Sequence, residues 1–173
     1  VSEINIDVFR CNSEVRKIVL PETITEIKDM TFMECCNLEE IILPNSLRRI
    51  GTNAFKGSHN LKKIIIPDSV EVIGDFAFSE CRNLTEVTFG NSISEIGYNA
   101  FSGCEKLQNI SLPEGLVRLE SDTFKRCSSL TEVTLPSSLT FIGEWAFEQC
   151  EALSKINIPD SVEIISDFAF LEC

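Results

Sequence analysis

The feature that most constrains this chain is a period. The stretch LTEVTLPSSLTFIGEWAFEQCEA, residues 130–152, recurs with substitutions every 23 residues from one end of the sequence to the other. Its anchors are Leu130, Val133, Leu135, Pro136, Leu139, Ile142, Gly143, Ala146, Phe147 and Cys150. With Leu130 as position 1, units begin at Val15, Leu38, Leu61, Leu84, Leu107, Leu130 and Leu153. Residues 1–14 carry the tail of an earlier unit, with Val1, Ile4, Val8 and Phe9 at positions 10, 13, 17 and 18. Position 18 is Phe in every copy, and no insertion breaks the register. A period in this range is the signature of a solenoid. So short a unit cannot enclose a core alone, so its apolar positions must be covered by the units before and after it.

Stacking assigns a role to each position. Positions 1, 4 and 6, as in Leu61, Ile64 and Ile66, read as the buried edge of a short strand. Position 7 is Pro at residues 21, 44, 67, 113, 136 and 159. Proline has no amide hydrogen to give a ladder, so it ends the strand. Position 14 is glycine at Gly51, Gly74, Gly97 and Gly143, which predicts a turn of positive φ. Lys28, Glu120 and Ser166 hold that place elsewhere, so glycine is favoured there without being required. Positions 15–21, as in DFAFSEC and YNAFSGC, predict one or two helical turns capped by Asp, Ser or Thr. The expected coil runs strand, Pro turn, second extended segment, Gly turn, short helix.

The pattern LxxIxLPxxLxxIGxxAFxxC resembles the BspA-like group of leucine-rich repeats over the whole chain. Departures are few: Gly90 replaces the Pro, Ser58 replaces the Cys, and Cys11 falls one residue ahead of its slot. The resemblance implies an α/β repeat, a leucine-rich-repeat solenoid bent into a right-handed arc. Its parallel sheet would line the concave face and its short helical turns the convex side. It also implies a bacterial or protist surface protein, adhesins among them, and hence a cell-surface or secreted location.

Residues 1–173 are expected to form one elongated domain, because a solenoid adds length instead of a second core. At roughly 4.8 Å per stacked strand the arc is about 34 Å long. The sequence begins and ends inside units, with no polar cap such as solenoid ends normally carry. The expectation is a segment of a longer protein, with end-to-end self-association through uncapped ends as the alternative. No run of 18 apolar residues predicts a membrane span, and any secretion leader is expected outside this stretch. The net charge of −12 argues against nucleic acid, whose recognition needs a basic surface, and against anionic membranes. Acids such as Glu22, Asp68, Glu95 and Asp160 scatter over turns as a solubilising surface. Asn83-Leu84-Thr85 and Asn109-Ile110-Ser111 match the glycosylation acceptor pattern, a weak signal in a chain this long.

Eight cysteines invite a disulfide reading, but six of them (Cys35, Cys81, Cys104, Cys127, Cys150 and Cys173) share position 21. In one column their Cβ vectors run parallel, which does not suit the bond. Ser58 at the same position shows that a small, weakly polar group suffices there, so buried free thiols are expected. Whether Cys11, Cys35 and Cys36 form any bond stays open. One histidine, His59, and no CxxC leave no zinc set and imply no cofactor.

Catalysis needs unlike polar groups brought into one pocket, whereas a repeat multiplies one group along a row. His59 has no nucleophile partner in any motif, and Glu39-Glu40 read as solvated charge, so no catalytic residue is assigned and a non-enzyme is expected. The remaining class is recognition. Position 3 of the first four strands alternates in sign: Lys17, Glu40, Lys63, Glu86. Position 5 runs Val19, Ile42, Ile65 and then turns polar at Thr88, Ser111, Thr134 and Asn157. These seven residues, Lys17, Val19, Glu40, Ile42, Lys63, Ile65 and Glu86, form the candidate contact surface for a protein or other extracellular macromolecule. Aliphatic residues there also suit a strand on propensity alone. Phe76, Trp145 and Phe168 at position 16 form a second candidate, with partial burial against the next helical turn as the plainer reading. A spacer or a cytosolic scaffold without a ligand of its own is the alternative function.

Overall fold

The computed structural model describes residues 8–173, so Val1 and Ile4 lie outside the described residues. Each unit makes one coil bearing two short strands. Positions 3–5 give the first row: β1 (Lys17–Val19), β3 (Glu40–Ile42), β5 (Lys63–Ile65), β7 (Glu86–Thr88), β9 (Asn109–Ser111), β11 (Glu132–Thr134) and β13 (Lys155–Ile156). Positions 12–13 give the second: β2 (Glu26–Ile27), β4 (Arg49–Ile50), β6 (Val72–Ile73), β8 (Glu95–Ile96), β10 (Arg118–Leu119), β12 (Phe141–Ile142) and β14 (Ile164–Ile165). Every pairing is parallel and offset by one repeat, as in Ile18↔Ile41 and Ile50↔Ile73. Period-2 alternation explains the first row. Ile18, Ile41, Ile64, Val87, Ile110 and Val133 point inward between two exposed neighbours. Between the rows the Pro carbonyl accepts the position-10 amide, as from Leu47 to Pro44 at 3.1 Å, and closes a turn.

The third side is not helical, and no helix occurs among the described residues. Two residues per coil adopt a left-handed backbone. At position 16 Met30, Asn53, Phe76, Asn99, Asp122, Trp145 and Phe168 have φ of 53–59°. At position 20 Glu34, Gly57, Glu80, Gly103, Arg126, Gln149 and Glu172 have φ of 56–74°. A right-handed helix cannot pass through such residues. The segment becomes a chain of turns whose amides bond to the next coil: Asn53 N to Asp75 O (2.8 Å), Phe55 N to Ala77 O (2.7 Å), Gly57 N to Ser79 O (2.8 Å). This forward ladder satisfies groups that a helix would have bonded internally.

Glycine at position 14 also serves another end than expected, since positive φ among glycines occurs only at Gly57 and Gly103. A Cβ on Gly51 would lie 2.6 Å from Asp29 N, and one on Gly74 2.7 Å from Thr52 N. The previous coil's backbone leaves no room for a side chain there. Inside the stack Phe32, Phe55, Phe78, Phe101, Phe124 and Phe147 are fully buried and stacked, with ring centroids 5.1–5.6 Å apart. Burying each such ring contributes about 1.5–3 kcal/mol.

The ladders are not continuous. The first row pairs as β1–β3, β5–β7 and β9–β11–β13, and the second as β2–β4–β6–β8 and β10–β12–β14. A cleft lies at each of the three interruptions.

Candidate recognition surface

The interruption between β3 and β5 falls in the middle of the aliphatic row. Lys62 N reaches Glu39 O at only 3.5 Å, whereas the equivalent Thr85 N to Lys62 O bond one coil later is 2.9 Å. The strands part into a cleft of about 340 Å³ walled by Ile41, Ile42, Leu43, Ile65 and Pro67, with Glu39, Glu40, Asn45 and Lys63 at its rim. Val19, Ile42 and Ile65 are 63%, 45% and 57% exposed, so the alternation of the strand turns all three to solvent. Val19 and Ile42 are ladder partners, and Ile65 faces Ile42 across the gap.

The charged residues of the row are placed around this apolar strip. Lys17 pairs with Glu40 at 2.9 Å and Lys63 with Glu86 at 2.7 Å. Glu40 and Lys63 therefore each turn away from the gap, towards the coil on its own side. Glu39 sits between Lys62 (3.1 Å) and Arg16 (2.8 Å), and hydrogen bonds from these two, Lys62 first, hold its carboxyl below the usual range. Exposed pairs of this kind contribute roughly 0–1 kcal/mol each. Their effect is to hold the charges in position around the strip.

The position-16 aromatics are spread along the third side. Phe76 and Trp145 are half-buried, while Phe168 in the last coil is exposed and stacks on Trp145 at 6.0 Å. Lys56 lies 5.1 Å over the Phe76 ring and Lys125 5.7 Å over Trp145. They lie against turns and lysine stems, not against a helix.

The residues with most chemical potential are engaged in structure. In each thiol of the position-21 column, Sγ reaches the carbonyl of the previous coil's Phe: Cys81 to Phe55 at 3.2 Å, Cys104 to Phe78 and Cys127 to Phe101 at 3.3 Å. Ser58 makes the same bond to Phe32 at 2.8 Å. Burial pushes the Cys35 thiol up to about 11 and Cys150 up to about 12, and raises Cys81, Cys104 and Cys127 as well. Such thiols are poor nucleophiles. Cys11 and Cys36 are exposed and free, and Cys11 donates to Glu34 at 3.2 Å, which raises its pKa. His59 Nδ1 lies 2.8 Å from the Glu80 carbonyl, tying two coils together.

A stack of parallel two-stranded coils with a phenylalanine spine and a thiol column defines a leucine-rich-repeat β-solenoid. The chain belongs to the BspA-type leucine-rich-repeat family, which it matches in six copies over residues 2–104 and 49–173. A leucine-rich-repeat protein of T. pallidum is 36% identical, with a TM-score of 0.77 over 80% of this chain and 65% of its own. A leucine-rich-repeat protein of Eubacterium ventriosum is 31% identical, with a TM-score of 0.85 over 91% of this chain and 43% of its own. A leucine rich cell surface protein of Faecalibacterium prausnitzii is 34% identical, with a TM-score of 0.79 over 92% and 45%. The chain thus spans less than two thirds of the first and less than half of the other two. No curated protein matches it. None of these matches indicates an enzymatic family.

Proposed function

We propose that this chain is a non-catalytic binding module that contacts a protein or other extracellular macromolecule through the first-strand sheet around Val19, Ile42 and Ile65. The observation that carries the reading is the apolar cleft between β3 and β5, set in an exposed aliphatic strip with fixed charges at its rim. An apolar centre with a polar rim is the usual interface arrangement. Strand propensity alone does not explain why three adjacent coils carry aliphatics where the next four carry Thr, Ser, Thr and Asn. In this reading the first-strand sheet is the concave side of a right-handed arc, and the module belongs to a cell-surface adhesion or host-interaction protein. The surface assignment rests on the family and on the Faecalibacterium relative described as a cell surface protein.

The test is the double variant Ile42→Thr/Ile65→Thr, which copies Thr88 and Thr134 at the same repeat position. The unfolding midpoint should stay unchanged while affinity for a partner recovered on the wild-type chain drops about tenfold, or roughly 1.4 kcal/mol. Unchanged affinity moves binding to the aromatics around Phe76 and Trp145.

A further inference from the structure

The second-strand sheet carries an opening of its own, and the repeat explains it. Where position 14 is glycine, its amide bonds back to the preceding coil: Gly97 N to Ile73 O at 2.9 Å, Gly143 N to Leu119 O at 2.8 Å. In the coil after β8 that place belongs to Glu120. Its longer side chain stands where glycine has none, and its carbonyl is held at 2.6 Å by the hydroxyl of buried Thr123. β8 and β10 do not pair. Ser166 also has a Cβ, but Ala169 follows it as alanine follows the glycines, and its amide keeps the bond to Ile142 at 2.9 Å. The opening follows the pair of Glu120 and Thr123.

The result is a cleft of about 430 Å³ whose lining includes Asp75, Glu95, Tyr98, Val117, Arg118 and Glu120. Its one cation is already engaged. Arg118 Nε donates to Glu120 at 3.1 Å, and the guanidinium lies 3.8 Å over the Phe141 ring. Asp75 accepts the Tyr98 amide at 2.9 Å. Glu95, exposed on β8, has no ion pair or side-chain hydrogen bond among the described residues. Beside it Tyr98 and Val117 are 50% and 48% exposed.

We propose that this cleft takes the cationic side chain of a lysine or arginine presented by a protein partner. Glu95 supplies the counter-charge, the Tyr98 ring a face for the cation, and Val117 an apolar wall for the methylene stem. A net charge of −12 steers a basic partner towards the chain. A backbone-embedded side chain is favoured over a free amino acid, because the engaged Arg118 leaves no open cation for an α-carboxylate.

The test is a titration of the nitrogen-15-labelled chain with Nα-acetyl-lysine N-methylamide, with free lysine and the norleucine counterpart as comparisons. Amide shifts should concentrate at Glu95, Tyr98 and Val117, be weaker with free lysine and be absent with norleucine. Affinity should fall about fivefold in Glu95→Gln, whose melting midpoint should not change, and binding should be lost in Glu120→Gly/Thr123→Ala, which restores the repeat. Shifts that norleucine reproduces, that survive Glu95→Gln, that spread over acidic positions elsewhere or that fail to appear at these residues would overturn the proposal. Free lysine binding as tightly would overturn the assignment to a protein side chain.

Discussion

Replacing Gly97 by alanine puts a methyl group where the fold leaves no space. Its Cβ would lie 2.6 Å from Asp75 N and 2.8 Å from Gly74 C, and closer still to the Asp75 carboxylate. Carbon contacts are comfortable at about 3.5–4.0 Å, so the two coils must part by on the order of 1 Å. Backbone atoms cannot swing aside as a lysine tip can. Parting them stretches the Gly97 N to Ile73 O bond and the Tyr98 N to Asp75 bond, both 2.9 Å. Overpacking costs roughly 1–3 kcal/mol, and the weakened hydrogen bonds add about 1 kcal/mol. The stiffer unfolded chain offsets about 0.4–1 kcal/mol. The expected net loss is about 2 kcal/mol in urea unfolding, followed by circular dichroism and by Trp145 fluorescence. Gly97 has no positive φ to relieve, so glycine is there for the close approach alone. A neutral or stabilised Gly97→Ala would refute that reasoning and the account of the Glu120 opening built on it.

Phe101→Ala removes a ring stacked 5.2 Å from Phe78 and 5.6 Å from Phe124 and met edge-on by Phe89, so it should cost about 3–5 kcal/mol. Phe170→Ala, half-buried with Phe147 as its one ring partner among the described residues, should cost clearly less in the same unfolding assay; equal losses would contradict stacking as the source of stability. Unfolded, non-reduced protein should titrate at least six thiols, while in native protein the exposed Cys11, Cys36 and Cys173 react well ahead of the five buried thiols of the column. Three or more disulfides by mass spectrometry would defeat that reading. Because burial places the folded Cys35 and Cys150 values at about 11 and about 12, above the ordinary 9.0, the unfolded chain loses these protons first. The thiol contribution should therefore be intact below about pH 9 and decline as pH rises through 11–12, less steeply in Cys150→Ser.

The residues that repeat were legible because stacking writes the same demand on every coil. Phe at position 18, the inward residue of β1 through β11 and the solvent-facing row of Val19, Ile42 and Ile65 follow from period and alternation. The third side is ambiguous in sequence because inward residues at 17, 18 and 21 suit a helical turn and a chain of β-turns alike. The distinguishing signal lay in the outward residues. Asn53, Asn99 and Asp122 at position 16 and Gly57 and Gly103 at position 20 are types that tolerate a left-handed backbone. Within one unit glycine at position 14 suggests a torsional demand, whereas the constraint comes from the neighbouring coil and is invisible there. The gap between β3 and β5 has no signal in the row that borders it. The second cleft had one: Glu120 and Thr123 break the Gly-to-Ala pattern together, with Tyr98 and Val117 beside them.

The central claim is that the first-strand face recognises a partner where its aliphatic strip lies. It is tested most directly by site-specific photocrosslinking, with benzoylphenylalanine placed at Ile42 or, in the same repeat position four coils on, at Thr134. Adducts to a single macromolecule in high yield from Ile42, suppressed by excess unlabelled chain and nearly absent from Thr134, are the predicted result. Equal yields from the two positions, or adducts that excess unlabelled chain does not suppress, would contradict it.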